Sequence, residues 1–254
     1  MKIAFHTLGC KVNQYESEAI AAAFEQQGYT VVDEREFADV YVINTCTVTA
    51  VADKKSRQYI RRMKKVNPDS VVVVTGCYAQ ISPEEVSAVD GVDIVAGTNE
   101  KSHLTDYVAE FQEHGMRQLH VKGYEELDVY DETGLVVNTE NRTRAYIKIQ
   151  EGCNRFCSYC VIPYARGGLS EIVAEAKKLI AGGYREIVLT GINTALYEME
   201  QIRPDEAGGL PEEPYGVEKV IAALSDIPGD FRIRLSSLEP AVVDADYVKR
   251  LLKY

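Results

Sequence analysis

The sequence predicts an α/β protein in two parts: an N-terminal doubly wound parallel sheet domain, then a partial (βα) barrel truncated at the C-terminus. Three observations predict it. Near-continuous Val and Ile runs such as VYVIN and VVVVTG read as strands buried on both faces, the pattern of a parallel sheet covered by helices. These runs alternate with segments of helical periodicity. After a loosely patterned acidic stretch the rhythm restarts, but with only three strand-helix units, which suits half of a parallel barrel better than a closed one.

In the first part, IAFHTL is a strand, followed by a helix from about Glu16 to Gln27, the strands YTVVD and VYVIN, and a helix from about Ala50 to Lys65. VVVVTG, a short helix after Pro83, VDIVAG and a helix near Leu104 to Gln112 complete a domain over residues 1–115. Residues 116–143 carry YEELDVYDETG and read as a linker with a hairpin around Gly134. The barrel occupies residues 144–254: RAYIKIQEG as a strand, a helix from about Ser170 to Ala181, EIVLTG, a helix near Val217 to Ser225, FRIRLSS, and a helix starting at Ala245. Glu198 to Pro214, rich in Glu, Gly and Pro, reads as an insertion loop. Tyr254 falls inside a helical pattern, so further chain is expected beyond it.

A hydrophobic fraction of 46% and a charged fraction of 26% are those of a soluble globular protein. No apolar run reaches the ~18 residues that span a bilayer, and the N-terminus lacks the apolar core of a secretory signal. A cytoplasmic protein without membrane contact is expected. Six cysteines in a chain too large to need disulfide staples then point to metal or redox chemistry. The net charge of −11 excludes a general affinity for nucleic acid, so any RNA contact must be local.

The cysteines form two sets of three. EGCNRFCSYCVIP places Cys153, Cys157 and Cys160 directly after a strand, close enough in sequence to share one cluster. A 4Fe-4S cube on three thiolates keeps one iron open to an outside molecule. The alternative is a zinc knuckle, for which no His or fourth Cys lies near enough in sequence. Cys10, Cys46 and Cys77 lie far apart in sequence but each follows the carboxyl end of a strand, where open parallel sheets collect ligands. Gly9 and Gly76 precede two of them, where close backbone approach is useful. Isolated buried cysteines are ordinarily small hydrophobes; three at equivalent positions point to a second cluster. Asn13 and Asn44 lie near the same strand ends, as contacts to a cluster or substrate, or as helix or turn caps.

Together TLGCKVNQYESE, VINTCTVTAVADKKSRQYIRR, VTGCYAQ and EGCNRFCSYCVIPYARG resemble the radical S-adenosylmethionine methylthiotransferases over nearly the whole chain. Lys11 to Tyr15 after the first cysteine is most similar to the branch acting on N6-threonylcarbamoyladenosine in transfer RNA, at adenosine 37 beside the anticodon. The resemblance implies two 4Fe-4S clusters, a radical one on Cys153, Cys157 and Cys160 and an auxiliary one on Cys10, Cys46 and Cys77, with S-adenosyl-L-methionine as methyl donor and radical source. It further implies Tyr159 near the adenine and Thr190, Gly191 and Asn193 near the methionine end; Ser236, Ser237 and Glu239 end the third strand on the same face, where ligands of parallel α/β structures collect, and are candidate ribose contacts. Gly191 by itself reads equally as a turn. The implied partners are a transfer RNA, an electron donor such as flavodoxin or ferredoxin, and no second copy of the chain. The sequence departs from the family pattern after Gly167, where Gly168-Leu169-Ser170 stands in place of a basic segment, and in lacking the family's further barrel units and β-rich RNA-binding domain.

Lys54, Lys55, Arg57, Arg61, Arg62, Lys64 and Lys65 put seven positive charges in twelve residues, the one dense basic patch of an acidic chain. It reads as a solvated helix surface, with Arg61 and Arg62 as candidate RNA contacts. The alternatives are methylthiolation of a ribosomal-protein aspartate or of isopentenyladenosine. An iron-sulfur redox sensor or electron carrier without substrate chemistry is the alternative of another class.

Overall fold

The computed structural model describes residues 1–47, 50–123, 144–150, 172–197, 212–240 and 243–254, which fall into two compact units. In the first, strands β1 (Lys2–Thr7), β2 (Thr30–Val32), β3 (Val40–Thr45), β4 (Val71–Gly76), β5 (Ile94–Ala96) and β6 (Gln118–His120) form one sheet in the order β2-β1-β3-β4-β5-β6. Every neighbouring pair is parallel. Strands β3 and β4 are buried at all six positions, as their Val-rich runs require.

Alternate strand residues feed two separate cores. Ile3, Val40, Val42, Val71, Val73 and Ile94 pack with Ile20 and Phe24 of α1 (Lys11–Gln26) and Leu104 and Val108 of α5 (Leu104–His114). Ala4, Tyr41, Ile43, Val72, Val74 and Val95 pack on the other face with Ile60 and Met63 of α2 (Ala50–Val66). Tyr78 and Ala79 of α3 (Cys77–Ile81) and Val86 of α4 (Pro83–Ser87) complete that face. Helices therefore cover both sides of the sheet, the doubly wound arrangement.

Two features differ from the sequence reading. Helix α1 starts at Lys11 rather than near Glu16, with Cys10 extended at its N-cap. Its first turns bury Asn13, Glu16 and Ser17 alongside Val12 and Tyr15, so buried polar residues interrupt the apolar period there. Residues 118–120, read as linker, form the edge strand β6, which is too short for alternation to show.

In the second unit β7 (Arg144–Lys148), β8 (Glu186–Thr190) and β9 (Arg232–Leu235) form a parallel sheet in that order. Ala145, Ile147, Ile149, Ile187 and Leu189 pack against Ala176 and Leu179 of α6 (Ile172–Ala181) and Val220 and Leu224 of α7 (Val217–Ser225), with Leu251 of α8 (Ala245–Leu251) at the margin. The hairpin expected around Gly134 and residues 198–211 of the expected insertion loop lie outside the described residues. Among the described residues no helix is long and apolar enough to cross a membrane.

Candidate functional site

Strands β1, β3 and β4 are neighbours whose ends are level, with Thr7 opposite Asn44 and Thr45 opposite Gly76. Cys46 follows Thr45 and Cys77 follows Gly76, so both leave the sheet at the same height. Cys10 lies three residues beyond Thr7, in a turn tied to β3 by the Leu8 amide donating to the Asn44 carbonyl at 2.9 Å. The topology thus gathers at one sheet edge three residues separated by 36 and 31 positions (46 − 10 and 77 − 46). Cys46 and Cys77 are buried, whereas Cys10 is exposed, and none of the three is in a disulfide.

Glycine is demanded twice here. Gly9 has φ +107°, and a Cβ on it would lie 2.7 Å from Cys46 Cβ and 2.9 Å from Cys46 Sγ. Gly76 has φ +94°, and a Cβ would lie 2.4 Å from the Thr45 carbonyl oxygen and 2.5 Å from Asn44 Oδ1. Both positions combine a left-handed backbone with a packed wall, so no side chain fits. Asn13 and Asn44, expected near this face, are there but lie beneath it, 0% and 1% exposed.

Three thiols with no carboxylate or imidazole among them are a soft donor set, suited to an iron-sulfur cluster. Among the described residues no three His, Cys, Asp or Glu side chains are grouped to hold a single metal ion. A cube takes its thiolates on separate irons, which sets them farther apart than the ligands of one ion. The donor chemistry and the glycine-lined approach fit the cluster.

The basic helix α2 divides into tethered and outward charges. Arg57 donates to the Tyr78 hydroxyl and to Glu85 at 2.9 Å, and Lys64 pairs with Asp93 at 2.8 Å. Lys54, Lys55, Arg61, Arg62 and Lys65 are exposed. The Arg62 guanidinium stands 5.6 Å from the ring centre of Tyr59, which stacks on His6 at 3.2 Å. Glu34 joins the pair, 2.6 Å from His6 Nδ1 and accepting from the Tyr59 hydroxyl at 2.7 Å. Burial lowers the His6 pKa and pushes Tyr59 up to about 12. Burial also acts to raise Glu34, but hydrogen bonds from His6 and Tyr59 outweigh it and hold the carboxyl below its ordinary value.

The second unit gathers Thr190, Gly191, Asn193, Ser236, Ser237 and Glu239 at the carboxyl ends of β8 and β9. The Ser236 hydroxyl donates to Thr190 Oγ1 at 3.3 Å, and Asn193 Nδ2 donates to Glu239 at 3.0 Å. Thr194 clasps β9, its amide donating to the Ser237 carbonyl at 3.1 Å and its hydroxyl to the Ser236 carbonyl at 2.7 Å. Ser237 takes φ 59°, unusual for a non-glycine residue. The Asn193 Oδ1 is buried without a hydrogen-bond partner among the described residues, an acceptor kept at the strand ends. A Cβ at Gly191 would lie 2.9 Å from Gln150 Cβ, so this glycine serves close packing. Gln150, which sequence reasoning passed over, accepts the Asn193 amide at 2.9 Å and ties the end of β7 to the turn after β8. Its one signal was its place directly after a strand and beside the second cysteine set. Cys153, Cys157, Cys160 and Tyr159 lie outside the described residues.

Comparison with known proteins adds an independent line. Residues 2–97 match the family model described as "Uncharacterized protein family UPF0004". The chain is 45% identical over 98% of its length to the threonylcarbamoyladenosine tRNA methylthiotransferase MtaB of Bacillus subtilis, and 39% identical over 99% to that of Aquifex aeolicus. It is 32% identical over 96% of its length to the tRNA-2-methylthio-N(6)-dimethylallyladenosine synthase of Clostridium novyi. It covers 54%, 60% and 54% of these three relatives, respectively, and so spans little more than half their length. The similarity runs through both cysteine sets and is stronger toward the MtaB proteins than toward the dimethylallyladenosine synthase.

Proposed function

We propose that the protein converts N6-threonylcarbamoyladenosine at position 37 of transfer RNA to its 2-methylthio derivative. The observation that carries this reading is the convergence of Cys10, Cys46 and Cys77 at the level ends of three adjacent strands, in a chain 45% identical to an MtaB protein. Residues 1–115 act as the auxiliary-cluster domain, 116–143 as the linker and 144–254 as the opening units of a radical S-adenosylmethionine barrel. Cys10, Cys46 and Cys77 hold the auxiliary 4Fe-4S cluster, and Cys153, Cys157 and Cys160 the radical one.

When bound, the clusters and S-adenosyl-L-methionine supply the sulfur, the methyl group and the radical that removes hydrogen from adenine C2. The chain's own residues position these groups. Gly9 and Gly76 leave room for the thiols to approach one centre. Thr190, Gly191 and Asn193 line the methionine end of the cofactor, Ser236, Ser237 and Glu239 its ribose, and Tyr159 its adenine. Arg61 and Arg62 project from α2 toward solvent, as phosphate contacts require. The protein works as a cytoplasmic monomer reduced by flavodoxin or ferredoxin.

Mass analysis of nucleosides from a strain lacking the gene tests the reading. Loss of 2-methylthio-N6-threonylcarbamoyladenosine, restored by the wild-type gene but not by Cys153→Ala/Cys157→Ala/Cys160→Ala, is expected. An unchanged level of that nucleoside overturns it, with loss of the dimethylallyl or ribosomal-protein modification reassigning the substrate. In the full-length protein, Arg61→Ala/Arg62→Ala weakens transfer RNA binding and flattens its salt dependence.

A further inference from the structure

We infer that Asn13 and Asn44 are positioning residues that hold the three cysteine-bearing strand ends together, so that the thiols converge before any metal arrives. The inference rests on Cys10, Cys46 and Cys77 being one ligand set.

Asn13 stands in the first turn of α1, three residues after the N-cap. The cap residue is Cys10, without a side-chain capping bond, and Asn13 reaches away to two strand ends. Its Nδ2 donates to the Leu8 carbonyl at 2.7 Å and to the Thr45 carbonyl at 2.9 Å. Leu8 lies two residues before Cys10, and Thr45 immediately precedes Cys46. One amide nitrogen therefore satisfies two carbonyls near the ladder's end and fixes the two chains carrying these cysteines against each other.

Asn44 extends the clamp downward. Its Nδ2 donates to the Asn13 carbonyl at 2.9 Å and to Ser17 Oγ at 3.1 Å, while Thr7 Oγ1 donates to the same Ser17 oxygen at 2.7 Å. Thr45 carries it across to β4: its hydroxyl donates to the Thr75 carbonyl and accepts from the Ala79 amide at 3.4 Å, bracketing Cys77. All three cysteines are thus reached through one hydrogen-bonded layer under the sheet edge.

The layer is costly, which argues that it has a use. Asn44 Oδ1 is buried without a hydrogen-bond partner among the described residues, so an apolar side chain would avoid a desolvation cost that asparagine bears. The donor half of the amide is what the position needs. Burial at 0% and 1% keeps both side chains from a transfer RNA surface, so they act through the thiols instead. The Cys10 thiol also donates to Asn13 Oδ1 at 3.6 Å, but a ligating cysteine has lost that proton. The Nδ2 donors are what persists on ligation.

The test uses the full chain with Cys153, Cys157 and Cys160 replaced by Ala, leaving the first set as its remaining thiols. Dibromobimane, which fluoresces strongly once both arms have alkylated, reports thiol convergence without metal. Asn13→Leu, similar in size but without donors, is expected to lower bridging at least about threefold and iron retention by roughly tenfold, as losses of supporting hydrogen bonds around metal ligands do. Gln14→Ala, next to Asn13, is expected to change neither. Where Asn13→Leu loses its circular-dichroism melting transition, Asn44→Ala carries the same readouts. Bridging equal to the parent in a folded variant overturns the inference whatever the iron content. A parent that bridges normally but takes up no iron instead sinks the auxiliary-cluster reading, and the bridging comparison still decides the clamp.

Discussion

The two units solve the same problem, assembling a site at the carboxyl ends of parallel strands, in different ways. In the first, helices cover both faces and β3 and β4 are wholly buried, so the strand ends are bound by a layer of buried amides and hydroxyls. In the second, the helices pack against Ala145, Ile147, Ile187 and Leu189, while alternation turns Arg144, Glu186, Arg232 and Arg234 to the opposite side. Its strand ends are joined by separate bridges from Gln150, Asn193 and Thr194. A sheet closed on both faces can bury polar groups where every donor is used; a sheet with one polar face relies on contacts between neighbouring strands.

Four changes break or sharpen that contrast. The largest effect is expected from Lys101→Met. Lys101 and Glu16 form an ion pair whose side chains are both 0% exposed, and removing the lysine takes the counter-charge from a buried carboxylate, at a cost of about 3–5 kcal/mol. Chemical denaturation measures the loss, and a change under about 1 kcal/mol would show that the pair is replaceable. Gly76→Ala comes next. The left-handed backbone alone costs about 1–2 kcal/mol, and the Cβ meets Thr45 and Asn44. Iron after anaerobic reconstitution is expected to fall from about eight to about four per chain; full loading would release Gly76 from its role.

The third change is acidification, which bears on the first unit through His6 and Glu34. The folded pKa of His6 is lowered, so its contribution is present above the ordinary histidine value and declines as pH falls below it. Glu34 is also lowered, so its contribution is present above the ordinary carboxylate value and is lost as pH falls through the folded one. Both act in one direction, and stability should fall between about pH 7 and pH 4 by less in His6→Phe/Glu34→Gln than in the parent. Parallel pH curves would remove this cluster as a source of acid sensitivity. The smallest effect is expected from Ser237→Gly in the second unit, which relieves φ 59° and raises stability by under about 1 kcal/mol. A lower melting temperature would mean that the serine side chain contributes more than the backbone strain costs.

Several strands and helices were legible in order because Val and Ile runs and helical periods are local signals. Helix α7 matches its expected span and α2 comes within a residue of it. The start of α1 and the strand β6 were not, since one buries polar residues and the other has three residues on a sheet edge. The cysteines were legible as two sets from their spacing and their places after strands. Arg57 and Lys64, grouped by sequence with Arg61 and Arg62, are tethered to Glu85 and Asp93.

By itself, the sequence determined the α/β class, the six thiols in two sets and the likeness to the methylthiotransferases, because composition, periodicity and motif spacing are properties of the chain alone. Only the tertiary structure decided that Asn13 lies under two strand ends and that Gly9 meets Cys46. The partnership of Lys101 with Glu16, 85 residues away, was likewise decided there. Such pairings depend on which strands become neighbours and at what register, and a hydrogen bond between distant residues leaves no local trace in either segment.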